Sequence, residues 1–358
     1  MANIDFGLPQ MYEDIAFICI GGGGSSIGLE LYRKGYQCLF INSSDQDQSI
    51  LQEVPDYMKI KLLGTRGNSA NRNKGKQYIK ANYRKIIKDI VTKLNGFSNY
   101  YIVNSSGGGT GSSFCTTVAT FLKALLPNVT ISFITILPSY NEPYIRKTNT
   151  LELYNEFLEL DLDKFGNIVF VDNNGISSNE EIDLFNKKVV ETLDFIFNLS
   201  TNNKNIDDAD LLQMLSISGC VNIGYISSKQ IGYRLNIDNC FVESSGNASN
   251  IIYDINSDDN IIEEEIHEKY GIQDNVLYTF RNEVSNNVVL FGLSLPTEYF
   301  ELLAEYCEDH NKSKLNIEQT QHKKIEINTT NKILQSKEDI KPINKSIDDI
   351  FNNLFGSK

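Results

Sequence analysis

The chain has 358 residues, 41% hydrophobic and 22% charged, which is enough for two domains with cores of their own. Its formal net charge of -13 argues against broad nucleic-acid binding through its own surface. No uninterrupted apolar run reaches the roughly 18 residues of a membrane-crossing helix, and MANIDFGLPQMYED has no basic segment ahead of an apolar stretch, so the expectation is a cytoplasmic protein without membrane contact.

The first half alternates short apolar runs with helical patterns. IAFICI (15–20), QCLFIN (37–42), YYIVNS (100–105), TISFITIL (130–137) and NIVFVD (167–172) read as strands buried on both faces. Between them Ile79, Tyr83, Ile86, Ile90 and Leu94 recur at steps of three and four residues, with lysines on the opposite face, as in a helix lying on a sheet. This alternation predicts a parallel sheet covered on both sides, with ligands at the carboxyl ends of its strands. A long helical pattern runs from about Asn179 to Leu199. Beyond it ISGCVNIGYIS, NVLYTFRNE and NNVVLFGLSLP read as strands, and IIEEEIHEKY and TEYFELLAEYCEDH as helices, together a smaller α+β domain.

From about Asn311 the chain turns polar and ends in a small amphipathic cluster, SIDDIFNNLFGSK. Residues 311–358 hold nine lysines against six acids, a balance of +3 that leaves -16 for the remainder, so the tail is expected to be a separate interaction unit. Cys19, Cys38, Cys115, Cys220, Cys240 and Cys307 lack metal-ligand spacing and read as reduced core residues, with no protein-held metal cluster expected.

Two glycine-rich segments carry the chemistry. GGGGSSIG (21–28) follows the first strand, where glycines allow a tight turn and the next helix offers free N–H groups to a phosphate. Asp45 lies where a dinucleotide-binding enzyme places its ribose acid, yet Ser26 or Ile27 occupies the third glycine position of that motif. The second segment, SSGGGTGSS (105–113), follows a central strand and opens another helix. Two cradles on one sheet suit a nucleoside triphosphate, and no G-x-x-x-x-G-K-[ST] motif is present.

GGGTGS behind a central strand resembles the signature of the tubulin/FtsZ superfamily, and the resemblance covers about residues 12–300. It implies GTP and GDP as ligands, with Mg2+ on the phosphates, and assigns Gly22, Gly23, Gly24, Ser25, Asn42, Gly107, Gly108, Gly109, Thr110, Gly111 and Ser112 to nucleotide binding. NEPYIRK (141–147) resembles the loop whose glutamate holds the ribose, giving Glu142, with Arg146 four residues on. VDN (171–173) places Asn173 at the guanine, and Asn186, one turn after Ile182, is the base-bonding residue of the long helix. GTRGNSANRNKG (64–75) stands where the family senses the terminal phosphate, which points to Gly67, Asn68 and Ser69, although it lacks the longer glycine-rich form of division proteins.

NIDDAD (205–210) matches the family's catalytic N-x-D-x-x-D loop, with Asn205, Asp207 and Asp210 in the reacting positions. In the family that loop serves the nucleotide of a neighbouring subunit. The implied architecture is a tubulin-like α/β fold: a GTP-binding domain (1–178), a central helix (179–204), a catalytic loop with a C-terminal domain (205–310) and a tail (311–358). The divergent sequence and basic tail resemble the TubZ branch, the segregation GTPases of plasmids and phages, including those of clostridial phages. That branch implies head-to-tail homopolymers that move DNA indirectly, through a DNA-binding adaptor gripping the tail. A division-type filament GTPase and, more distantly, a dinucleotide-dependent enzyme are the other readings.

Overall fold

The computed structural model of the chain describes residues 11–62, 65, 67–174, 176, 178–201, 205–228, 233–254, 261–271, 273–279 and 286–321. Two compact units divide it, Met1–Glu308 and Asp309–Lys358. Of the second, residues 309–321 are described and are helical; SIDDIFNNLFGSK and the rest of the tail lie outside the described residues.

In chain order the elements are α1 (Met11–Asp14), β1 (Ile15–Ile20), α2 (Gly21–Lys34), β2 (Gln37–Asn42), α3 (Asp45–Ser49), β3 (Lys59–Lys61), α4 (Arg72–Lys93), β4 (Asn99–Ser105), α5 (Gly109–Leu125), β5 (Thr130–Leu137), α6 (Tyr144–Glu159), β6 (Asn167–Asp172) and α7 (Asn179–Phe197). Then follow α8 (Asp208–Leu215), β7 (Gly219–Ser228), β8 (Tyr233–Ile237), β9 (Asn250–Asp254), α9 (Ile261–Tyr270), β10 (Asn275–Thr279), β11 (Asn287–Leu293) and α10 (Thr297–Gln321).

The strands form one sheet in the order β10-β9-β11-β7-β6-β5-β4-β1-β2-β3, with β8 paired to β7. From β3 to β7 every pairing is parallel, and antiparallel pairs enter only around β7, β8, β9 and β11. The expected α/β architecture with a mainly parallel sheet is present. The five apolar runs of the first half are β1, β2, β4, β5 and β6, and all six residues of β1 are buried.

Alternation of side chains along the strands feeds two separate cores. On one face Ile18, Ile20, Ile102 and Phe133 pack under α4, α5 and α6 through Ile79, Ile86, Val118 and Phe157. On the other, Phe17, Tyr101, Val103 and Val169 pack under α2 and α7 through Ile27, Leu31, Val189, Leu193 and Phe197. Phe197 lies 5.8 Å from Phe17 and 5.1 Å from Tyr101 by ring centroids, so α7 is anchored to the middle of the sheet. Each such side chain contributes about 1.5–3 kcal/mol on burial. A capping box starts α7: Ser178 Oγ accepts from the Glu181 N–H, and Glu181 accepts from the Ser178 N–H. Among the described residues no helix is long and apolar enough to cross a membrane.

Candidate functional site

The parallel strands all end on one side, and there the loops enclose a cavity of about 1040 Å3. That is the size range of a small-molecule site. Its walls are built from the segments that follow the strands β1 to β6.

β1 passes into α2 without an intervening turn. Gly21 has φ +74, a left-handed value that favours glycine. Ile20, the residue before α2, supplies no side-chain cap, so the first N–H groups of the helix are left for a ligand. The junction between β4 and α5 repeats this arrangement, because Gly108 caps α5 with no side chain. A Cβ on Gly111 would sit 2.8 Å from the Ser105 carbonyl oxygen, and one on Gly23 would sit 2.8 Å from the Ser105 Cβ, so the two loops meet where only glycine fits. Two uncapped helix N-termini thus face one cavity, and their dipoles favour an anion there. Ser43, after β2, ties into the second loop through its hydroxyl, 2.7 Å from that of Thr110.

The third wall is 67–71. Gly67 has φ +83, and Ser69 and Ala70 have φ +49 and +58, conformations that cost a side-chain-bearing residue energy and persist only when the surroundings enforce them. Asn149 of α6, 2% exposed, supplies that enforcement. Its Nδ2 donates to the Ala70 carbonyl at 2.7 Å and to the Gly107 carbonyl at 3.0 Å, joining the third wall to the second. Arg72 follows, buried, with Nη2 2.6 Å from Glu156 Oε1. Burial raises the Glu156 carboxyl pKa, but hydrogen bonds and charge from Arg72, Lys76 and Thr116 outweigh that and hold it below the ordinary carboxylate value. Asn68 lines the cavity and is 6% exposed, and its Nδ2 is buried without a hydrogen-bond partner. Gly64 and Arg66 of this loop lie outside the described residues.

The fourth and fifth walls follow β5 and β6. Glu142 and Arg146 form an ion pair at 3.1 Å, and Glu142 also accepts from the Ser139 N–H at 3.2 Å. Asp172 Oδ1 accepts from the N–H and Nδ2 of Asn174, and Asn174 Oδ1 accepts from the Tyr140 N–H at 2.8 Å, which holds the neighbouring Asn173 at the cavity. Tyr299 of α10 donates to the Pro138 carbonyl at 3.2 Å and stacks on Tyr140 at 5.7 Å, bracing the same loop from outside. Ile182 and Asn186, four residues apart on α7, line the cavity from one helix face.

Of the residues singled out from sequence, Gly22, Gly23, Gly67, Asn68, Ser69, Gly108, Gly109, Thr110, Gly111, Glu142, Arg146, Asn173 and Asn186 line the cavity. Gly24, Ser25, Asn42, Gly107 and Ser112 stand behind the lining. A Cβ on Gly24 would lie 2.3 Å from the Val103 carbonyl oxygen, so this glycine lets α2 approach the sheet. Asn42 Nδ2 donates to Ser25 Oγ at 2.9 Å inside the core. Gly107 faces Arg146, and Ser112 Oγ donates to the Gly108 carbonyl.

Asn205, Asp207 and Asp210 lie past the far end of α7, a helix of 19 residues. At about 1.5 Å per residue such a helix is close to 30 Å long. Asp207 caps α8, accepting from the Asp210 N–H at 2.8 Å, and Asp210 accepts from the Asp207 N–H at 3.3 Å.

Ser43, Ser44, Gln46, Asp47 and Ser105 also line the cavity. The first four follow β2, and the strand-end rule applied to NSSDQD would have found them. Nothing in the sequence marks Asn149, which is one polar residue inside a helix. Among the described residues the charged ones in the lining are Asp47, Glu142 and Arg146, of which Glu142 and Arg146 are paired to each other.

A parallel sheet whose neighbouring strands β1 and β4 each end in an uncapped glycine helix start defines an α/β protein built to hold a polyphosphate. Residues 14–179 match the family described as Tubulin/FtsZ family, GTPase domain, and this part of the chain is a domain of that family. The tubulin-like protein TubZ of Clostridium botulinum C phage is 26% identical over 212 residues, 58% of this chain and 58% of the relative, so the match spans less than two thirds of that protein. Among solved structures, Clostridium botulinum phage c-st TubZ with its C-terminal tail truncated superposes with a TM-score of 0.73 at 22% identity, over 85% of this chain and 99% of the other. A GTPγS-form protofilament of Bacillus thuringiensis serovar israelensis TubZ gives a TM-score of 0.68 at 16% identity, over 86% and 94%. At these identities the structural likeness is one of fold.

Proposed function

We propose that the protein is a filament-forming GTPase of the TubZ kind. It hydrolyses GTP to GDP and phosphate where one subunit docks head-to-tail on the next, and it moves plasmid or phage DNA in the bacterial cytoplasm. Residues 1–178 bind the nucleotide, 179–204 form the connecting helix, 205–310 carry the acidic loop and the C-terminal domain, and 311–358 take a DNA-binding adaptor. DNA is held only through that adaptor.

The observation that carries this reading is the separation of two half-sites by α7. One end of the helix lines a cleft of uncapped N–H groups, and Asp207 and Asp210 lie beyond the other. Within one subunit the cleft has N–H groups to bind a triphosphate, and its acidic loop stands a helix length away. Stacking subunits head-to-tail supplies the acidic loop from the neighbour, and heterologous contacts of this type propagate as filaments. In this reading the α2 and α5 amides hold the phosphates, Asn173 and Asn186 read the base, Glu142 faces the ribose, and Ile182 packs on the ring. Mg2+, when bound, neutralises the phosphates. A water oriented by the neighbour's acidic loop attacks the terminal phosphorus, the bond to the bridging oxygen breaks, and the water's proton passes through a carboxylate to solvent.

Asp207 also caps a helix, so Asp207→Ala would mix chemistry with stability. Asparagine caps a helix as well as aspartate, which makes Asp207→Asn the cleaner change. The expected outcome is GTP binding and sedimentation close to wild type, with phosphate release reduced roughly a hundredfold or more. Wild-type activity per subunit should fall on dilution below the assembly threshold. Undiminished activity in dilute wild type, or in Asp207→Asn polymers, would refute catalysis across the interface.

A further inference from the structure

We infer that Tyr299 and Tyr306 of α10 are positioning residues for nucleoside recognition: by gripping Tyr140 they set the turn that presents Glu142 to the ribose. The inference rests on the reading of the cleft as a GTP site and joins the helix after the last strand to that site.

Ser139, Asn141 and Glu142 line the cavity, whereas the Tyr140 ring is turned to α10. The four residues form a closed turn. The Glu142 N–H donates to the Ser139 carbonyl at 2.9 Å, the Ser139 N–H to Glu142 Oε1 at 3.2 Å, and the Asn141 N–H to Ser139 Oγ at 3.3 Å. A turn tied in this way moves as a unit, so the place of the Tyr140 ring fixes the place of the Glu142 carboxylate. Tyr299 and Tyr306 stand seven residues apart, two turns along one side of α10. The first stacks on Tyr140 with ring centroids 5.7 Å apart, and the second meets it at 5.3 Å. Lys147 of α6 lies over the Tyr306 ring at 5.3 Å and closes the outer side of the clamp.

The clamp has a firm base. Phe300, 3% exposed, stacks on Tyr154 of α6 at 4.0 Å and meets Phe170 of β6 edge-on at 5.6 Å. α10 is thus fixed to the helix that follows Glu142 and to the strand that leads to Asn173. From there the Tyr299 hydroxyl reaches the Pro138 carbonyl, and the Tyr140 N–H reaches Asn174 Oδ1, so the ribose turn and the base loop are registered against each other. Burial, with the Asp172 carboxylate nearby, pushes the Tyr299 phenol above its ordinary pKa and keeps it a neutral donor. The phosphate cradle is built separately, at the ends of β1 and β4, and Tyr140 belongs to neither of those loops. Loosening the clamp therefore acts on the contact to the ribose hydroxyls and spares the N–H groups that hold the phosphates.

Calorimetric titration with GDP and with 2′,3′-dideoxy-GDP separates the ribose contact from the rest of the ligand. Wild type should prefer GDP roughly tenfold or more, the effect of a charge-assisted hydrogen bond. Tyr299→Phe keeps the ring and removes the bond to the Pro138 carbonyl. In it the preference should shrink roughly threefold or more, with dideoxy-GDP affinity close to wild type. Tyr306→Ala, at a position 46% exposed and so tolerant of truncation, should shrink the preference as well. Tyr154→Phe is the control: its hydroxyl lies 3.3 Å from Thr297 Oγ1 at the same helix junction, and its loss should leave the preference at the wild-type value. A purely structural brace would weaken both ligands equally in Tyr299→Phe, or shrink the preference equally in Tyr154→Phe, and either result overturns the inference. So does an unchanged preference in Tyr299→Phe or in Tyr306→Ala. Wild type binding neither ligand overturns the nucleotide reading itself. Wild type binding both equally leaves that reading standing but removes Glu142 from the ribose, and this inference with it.

Discussion

Replacing Gly108 with valine separates the ligand site from the fold, because the backbone there already suits a side chain. Gly108 has φ -76 and ψ 154, extended values that a β-branched residue adopts without strain. A Cβ at this position would meet nothing closer than the Ser105 carbonyl oxygen at 3.7 Å. Valine is a poorer helix cap than glycine, at a cost of some tenths of a kcal/mol, and a Gly replacement at a compatible φ returns about 0.4–1 kcal/mol through the unfolded chain. The melting temperature without ligand should therefore stay within a few degrees of wild type. The cavity beside the α5 amides is lined by Gly108 itself, so the valine methyls enter the space a phosphate needs. Losing one charge-assisted hydrogen bond of about 1.5–3 kcal/mol weakens binding by roughly ten- to a hundredfold. Thermal melting with and without GDP, together with calorimetric titration, measures both quantities. Gly24→Ala is the mirror experiment. Its Cβ would lie 2.3 Å from the Val103 carbonyl oxygen, so α2 must lift from the sheet at a cost of about 1–3 kcal/mol, whether or not ligand is present. Wild-type GDP affinity in Gly108→Val would refute the assignment of the cleft. An unaltered melting temperature in Gly24→Ala would refute the division of labour between the two glycines.

Asn149→Leu leaves the Ala70 and Gly107 carbonyls without their shared donor. It should cost about 2–4 kcal/mol in chemical denaturation, and the preference for GTPγS over GDP should fall in titration as the strained 67–71 segment relaxes. Deleting the chain from Ser346 onward should leave GTP hydrolysis and sedimentation close to wild type while abolishing recruitment to adaptor-bound DNA in a pull-down.

The fold was most legible where burial is complete. QCLFIN and TISFITIL are continuous apolar runs because helices cover both faces of those strands, and they appear as β2 and β5. β3 carries two lysines in three residues at the sheet edge, a composition that reads as loop. At the site, sequence reveals that glycines cluster but not what stands opposite each one. Gly23 meets Ser105 at the cavity while Gly24, its neighbour, meets the carbonyl of β4, and only the helix rotation distinguishes them. Asn149 was silent for a related reason: it acts through residues far away in the chain, the carbonyls of Ala70 and Gly107. NIDDAD was ambiguous because the three-residue spacing of a capping box is also the spacing of its two carboxylates in the family's catalytic loop.

The sheet is continuous, but its stiffness is not. β4 and β5 share seven paired positions, whereas β6 and β7 share two, Asn167↔Gly219 and Ile168↔Cys220. Past that point β6 turns to a different neighbour: Val171 bridges Phe241, and the Asp172 N–H donates to the Cys240 carbonyl at 2.9 Å. A torque applied to the strands beyond β7 is therefore resisted by two rungs and a short lateral stitch, while the strands carrying the glycine loops turn as one plate. In a chain of subunits pulled or twisted lengthwise, the compliant line of each monomer runs beside the strand that presents Asn173, and deformation concentrates next to the cleft while the cradle of N–H groups keeps its shape.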